Sequence, residues 1–247
     1  MFDIMCPRRD AGDVSDEWRT GVAVPNFPSL SRDPTEAPVS RSQEFAGSGT
    51  WDLLRIDPGK VASLNGKPGS GLTRVGLVML AGHADEGPVA YLDVRGWLSP
   101  LAAWEVGIEP DRLVVVRCTD VVRWGRAVAA LLDGTRAVYA EVPGGVKDAV
   151  IRKLGALARS RRTPLVLRSL AGSLPAGIAH LVLEVKEVTW EGAEQGHGRL
   201  RLRRSVVVAS GKAMRGMSRT IELEDDGSNA LHLVPGVGIT EVGRAAG

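Results

Sequence analysis

The chain has 247 residues, 44% hydrophobic and 24% charged, the composition of a globular protein and not of a disordered or fibrous one. Its 31 Lys and Arg against 29 Asp and Glu leave a net charge of +2, so any attraction to nucleic acid or anionic lipid has to come from local clustering. Two cysteines, Cys6 and Cys118, supply neither a disulfide framework nor a CxxC metal site; no apolar run approaches the roughly 18 residues of a membrane span; and Met1 to Arg9 does not follow the order of a secretion signal. A cytoplasmic protein without membrane contact is expected.

Residues 1–50 hold five of the 14 prolines and no hydrophobic period, which predicts a disordered leader. Trp18 and Phe27 within it read as incidental residues or as short docking anchors. Lys60 to Leu64 is a short strand, followed by a glycine-rich turn and an apolar helix from Leu72 to about Ala81. Val89 to Val94 is the next strand; Ser99-Pro100 starts a helix that Gly107 closes. Leu113 to Cys118 has the continuous apolar pattern of a doubly buried strand. Thr119 or Asp120 caps a helix whose Val121, Trp124, Val128, Leu131 and Leu132 share a stripe, with Gly134 at its end. Ala137 to Val142 is a strand, Val146 to Ser160 a helix with Lys147, Arg152, Lys153 and Arg159 outward, and Pro164 to Arg168 a further strand.

This alternation predicts a parallel sheet with helices on both faces. After Gly177 the period changes to two: His180 to Trp190 and Gly198 to Ala209 predict a long antiparallel hairpin, with a short pair from Thr220 to Leu223 and Ala230 to Val234. The glycine-rich end from Pro235 reads as loose.

The loop Gly66-Lys67-Pro68-Gly69-Ser70-Gly71-Leu72-Thr73 lies between the first strand and the first helix of the core, where a phosphate-binding loop belongs. In G-x-x-x-x-G-K-[ST], backbone N–H groups cradle phosphates, the lysine reaches the terminal oxygens and the hydroxyl holds Mg²⁺. Gly66, Gly69, Ser70, Gly71 and Thr73 are the candidate binding residues, but Leu72 stands in the lysine's place. Losing one charge-assisted contact removes about 1.5 to 3 kcal/mol of binding. Asp93 and Glu141 end two strands and read either as carboxylates facing a nucleotide or as polar ends turned to solvent.

The succession Val89-Ala90-Tyr91-Leu92-Asp93, then Leu101-Ala102-Ala103-Trp104-Glu105-Val106-Gly107-Ile108, then Asp111-Arg112-Leu113-Val114-Val115-Val116, resembles the central core of RecA. It is more similar still to RecA-like accessory proteins of the ImuA type, including short actinobacterial forms also labelled SulA-like. The resemblance spans about residues 52–210. It implies an α/β RecA-like three-layer sandwich, with a mainly parallel central sheet and a C-terminal antiparallel hairpin, occupying residues 51–224 and followed by a flexible tail at 225–247. It also implies lost chemistry: Leu72 replaces the loop lysine and Arg95 the glutamate that activates water, and a cation cannot polarise water.

No catalytic residue, cofactor or metal site is expected. His83, His180, His197 and His232 lack ligand spacing, and no G-x-S-x-G elbow occurs. Arg199, Arg201 and Arg203 alternate with leucines, and Arg204, Lys212, Arg215 and Arg219 follow. They form either a phosphate-reading or partner-binding surface, or a solvated face balanced by Glu184, Glu187 and Glu191 on the neighbouring strand. Trp97, Trp104 and Trp124 are expected in the core; any left exposed is an interface anchor.

The resemblance points to a non-catalytic adaptor in SOS-induced translesion synthesis. Its implied partners are an ImuB-like homologue of Y-family polymerases and an error-prone C-family polymerase, with RecA or single-stranded DNA as further candidates. Two alternatives stand beside it: a nucleotide-binding, weak ATPase domain in which Lys67 or Arg74 replaces the missing lysine, and a division inhibitor of the SulA type.

Overall fold

The computed structural model describes residues 2–5, 54–192, 200–227 and 231–233. The first half of the described chain supplies strands β1 (Phe2–Met5), β2 (Val61–Asn65), β3 (Val89–Asp93), β4 (Leu113–Arg117) and β5 (Val138–Val142). The second supplies β6 (Leu165–Ser169), β7 (Leu181–Glu191), β8 (Leu202–Ser210), β9 (Arg219–Asp225) and β10 (His232–Leu233). The helices are α1 (Leu72–Ala84), α2 (Pro100–Glu105), α3 (Val121–Gly134) and α4 (Asp148–Arg161). All strands join one sheet in the order β1-β4-β3-β5-β6-β2-β7-β8-β9-β10. Every pairing from β1 to β7 is parallel, and those of β7 with β8, β8 with β9 and β9 with β10 are antiparallel.

Alternation along each strand divides the core into two layers. In β3, Val89 and Tyr91 pack beneath α1 and α2, whereas Ala90 and Leu92 pack beneath α3 and α4. The result is the expected α/β three-layer sandwich, mainly parallel with an antiparallel C-terminal part. Each leucine or valine taken wholly out of water contributes about 1.5 to 3 kcal/mol, which is why the nearly unbroken apolar runs of β3 to β6 sit at its centre.

Several boundaries have visible local causes. Asp120, not Thr119, caps α3: its Oδ1 accepts from the backbone N–H of Val122 at 2.8 Å and of Arg123 at 3.1 Å. Those donors hold its carboxyl below the usual range, Arg123 contributing first. Val121, expected on the buried stripe, is the first residue of α3 and stays exposed. Helix α4 starts two residues later than predicted, and Ile151, Leu154 and Ala158 face inward.

Phe2–Met5 falls in the segment read as a leader, and its backbone adds a parallel strand beside β4, from Phe2 opposite Val114 to Met5 opposite Arg117. The rest of residues 1–50, and residues 234–247, lie outside the described residues. Among the described residues no helix is long and apolar enough to cross a membrane.

Strand β2 lies between β6 and β7, and the chain leaves it for β3, on the far side of β5 and β6. Its carboxyl end is therefore a point where the sheet's connections diverge, the place where open α/β sheets receive ligands. The glycine loop stands there.

Candidate functional site

Gly71 is the residue before α1 and adopts a left-handed conformation, φ 78°. A Cβ on it would stand 2.5 Å from the guanidinium carbon of Arg203. Conformation and close approach both require glycine. Leu72, the first helical residue, turns inward and is 1% exposed. Its Cδ1 and the Cβ of Val185, at a bulge in β7, lie 3.0 and 3.2 Å from where a Cβ of Gly66 would be. The loop therefore folds over apolar side chains where a phosphate loop presents an ammonium group. Lys67 is exposed on the loop, and Arg74 is engaged with Glu105 at 2.9 Å and Asp225 at 3.7 Å.

Thr73 carries the hydroxyl that would hold Mg²⁺. Its Oγ1 instead accepts a hydrogen bond of 2.6 Å from Nη1 of Arg168, a β6 residue 4% exposed.

Asp93 and Glu141, at the ends of β3 and β5, are buried, which corrects the alternative of solvent-facing strand ends. The cause is hydrogen bonding: a carboxylate has about four acceptor positions, and here the chain supplies three donors to Asp93 and more to Glu141. Asp93 accepts from the backbone N–H groups of Gly96 (2.8 Å), Trp97 (3.2 Å) and Leu98 (3.0 Å), shaping the turn after β3. Glu141 accepts from Tyr91 Oη (3.2 Å) and the N–H groups of Val94 (3.1 Å) and Arg95 (3.2 Å). It also takes two bonds from the Arg95 guanidinium, through Nε at 3.0 Å and through Nη2. Trp124 fixes the same strand end from the opposite face, donating Nε1–H to the Glu141 carbonyl at 2.7 Å.

Tyr91 and Tyr139 stack beside this network, centroids 4.5 Å apart. Burial raises the Tyr91 phenol far above its usual range, and Tyr139 and the carboxylates Glu141 and Asp93 push the same way. Burial likewise pushes Tyr139 up to about 12, against the charge of Arg168. For Arg95, burial favours the neutral form, but hydrogen bonding to Glu141 and its charge outweigh it, so the guanidinium is held above its usual value. Arg95 and neighbouring backbone N–H groups meet the two carboxylates, while Nε of the buried Arg168 has no hydrogen-bond partner among the described residues.

The basic residues of the C-terminal strands do not converge on one face. Arg203 turns inward beneath the loop, paired with Asp225 at 2.5 Å and with its guanidinium 5.4 Å from the Trp190 ring centroid. Burial lowers its pKa, partly offset by Asp225. Arg204 points to the other face, paired with Glu224 at 2.5 Å and Glu191 at 3.4 Å. The neutralising acids therefore come mainly from β9, while Glu184 pairs with Lys186 at 2.6 Å. Arg201 is exposed just before β8, and Lys212 and Arg215 are exposed beyond its far end, roughly 25 Å away by strand rise. Arg199 lies outside the described residues.

Trp124 is buried as expected, but Trp97 is 69% and Trp104 42% exposed, a correction to the expected core positions. With Leu101, 55% exposed, they form an apolar patch on and before α2, and Arg95 covers one side of the Trp97 ring at 4.6 Å. Helix α2 has six residues and buries only Ala103, so periodicity alone does not reveal which of its apolar residues face out. Sequence reasoning also missed Arg168 and Asp225. A lone arginine closing the apolar strand LVLRS was a usable sign of the first; nothing marked the second.

Among the described residues, no group of three or more His, Cys, Asp or Glu side chains comes together to hold a metal ion. No curated protein matches the chain. Residues 54–176, which take in the glycine loop, Asp93, Glu141 and Arg168 but not β7 to β10, match the family model described as the MT3502 N-terminal domain.

Proposed function

We propose that this chain is a non-catalytic, RecA-like adaptor of the ImuA type, acting in SOS-induced translesion synthesis by holding an ImuB-like polymerase homologue and an error-prone C-family polymerase. The observation that carries this reading is the internal use of each group that Mg²⁺-nucleotide chemistry needs. Thr73 is bonded to Arg168, Glu141 to Arg95 and Asp93 to its own turn, while Leu72 packs under the loop. Releasing Arg95 leaves the buried Glu141 charge unpaired, at about 3 to 5 kcal/mol. A binding role fits the patch of Trp97, Leu101 and Trp104, since half-exposed tryptophans are strong interface anchors.

The test is co-purification of the full chain with an ImuB-like homologue and a C-family polymerase. Recovery of a stoichiometric complex, weakened at least tenfold by Trp97→Ser with Trp104→Ser, supports the adaptor. Absence of any complex from cells under DNA damage counts against it.

A further inference from the structure

At the edge of the sheet opposite the glycine loop, beside the amino ends of β2 and β7, lies a cavity of about 500 Å³. Ile56 and Leu181 provide apolar walls, and Arg55, Lys60 and His180 line it together with one carboxylate, Asp57. Backbone bonds gather these groups. The His180 N–H donates to the Val61 carbonyl at 2.7 Å, and the Ala213 N–H donates to the His180 carbonyl at 2.8 Å. The residues before each partner, Lys60 and Lys212, are thereby held on either side of His180. Gly211, with φ 103°, permits the approach, since a Cβ there would lie 2.8 Å from the His180 oxygen.

The charges here are unbalanced. Among the described residues, no acidic side chain forms an ion pair with Arg55, Lys60 or Lys212, in contrast to Arg74, Arg203 and Arg204 on the far edge. Burial and the neighbouring Lys60 and Lys212 lower the pKa of His180, with Asp57 opposing them. Cations gathered around a concave, partly apolar space attract an anion strongly, because low-dielectric walls focus their field. The volume is that of a small-molecule site, too small for a macromolecular surface.

We propose that this cleft binds a nucleotide-sized organic phosphate, its phosphoryl oxygens held by Arg55 and Lys60, with Lys212 outside the lining adding to the positive field, and its apolar part resting on Ile56 and Leu181. The site is separate from the glycine loop and does not depend on the adaptor reading.

The test is calorimetric titration of the full chain with ADP and, separately, with pyrophosphate, together with amide and imidazole chemical shifts. Binding of ADP is expected at submillimolar affinity, tighter than pyrophosphate, with shifts at Lys60, His180 and Ala213. Lys60→Gln, at an exposed lining position, should weaken it about tenfold, the loss of one charge-assisted contact, and Lys212→Gln, exposed but outside the lining, should weaken it less. Four outcomes overturn the proposal: no ADP binding, shifts confined to residues 66–73, affinity unchanged in both lysine variants, or pyrophosphate bound as tightly as ADP.

Discussion

Arg168 donates from Nη1 to the Oγ1 of Thr73 at 2.6 Å, joining β6 to the first turn of α1 by a charged bond inside the core. The hydroxyl is the group a phosphate loop reserves for a metal, and here the bond ties it to β6. Arg95 likewise bonds Glu141 at the neighbouring strand ends. Two guanidiniums of the chain itself are thus bonded to the Thr73 hydroxyl and to the Glu141 carboxylate.

Arg95→Met leaves Glu141 buried without its cation. The expected loss is about 3 kcal/mol of unfolding free energy, by the cost of breaking a buried pair. Urea unfolding with an unchanged m value measures it. A loss below about 0.5 kcal/mol would mean that the two backbone N–H groups and Tyr91 satisfy the carboxylate without help.

The chain has two tyrosines, and both are buried in this network. Their folded pKa values are raised, that of Tyr139 to about 12. A raised pKa means that the unfolded chain loses the phenolic protons first, so stability is intact below the ordinary value near 10 and falls as pH climbs from there toward 12. Tyrosinate absorbance should therefore appear only together with loss of the folded circular dichroism. A normal titration near pH 10 with the fold intact would place a phenol in water.

Gly71→Ala strains a left-handed residue and brings a methyl group against the Arg203 guanidinium, which must shift beside Asp225. The combined cost is expected to exceed about 2 kcal/mol. Thermal unfolding against Gly69→Ala separates the two effects: Gly69 has φ 81° but open space around its Cβ position, so it should lose only the strain.

These strong local features were unevenly visible in the sequence. The apolar runs of β3, β5 and β6 announced buried parallel strands, and Leu72 announced a changed phosphate loop, because both are written in consecutive residues, whereas β4, expected to be buried on both faces, is half-buried at Val114 and Val116. The partners of Glu141 and Thr73 were not visible in this way, since Glu141 meets Arg95 across a separation of 46 residues and Thr73 meets Arg168 across 95. Asp225 reaches Arg203 only through the register of β8 with β9. The tryptophans failed for another reason: a short helix such as α2 has too few turns for its apolar residues to declare a buried side.

Trp97→Ser should leave stability within about 0.5 kcal/mol of the parent, since its ring is 69% exposed; Trp104→Ser, 42% exposed, should cost more, and Trp124→Ala about 3 to 5 kcal/mol. Equal losses in chemical denaturation would show the outer rings packed against something that the described residues do not include.

Phosphate release from ATP by the purified full chain, with and without Mg²⁺, bears most directly on whether the loop has given up its chemistry. No release above the protein-free rate is expected at any Mg²⁺ concentration. Steady Mg²⁺-dependent turnover that disappears in Thr73→Ala would mean that Arg168 yields its place to the metal, and that the chain is an ATPase and not a passive holder of other proteins.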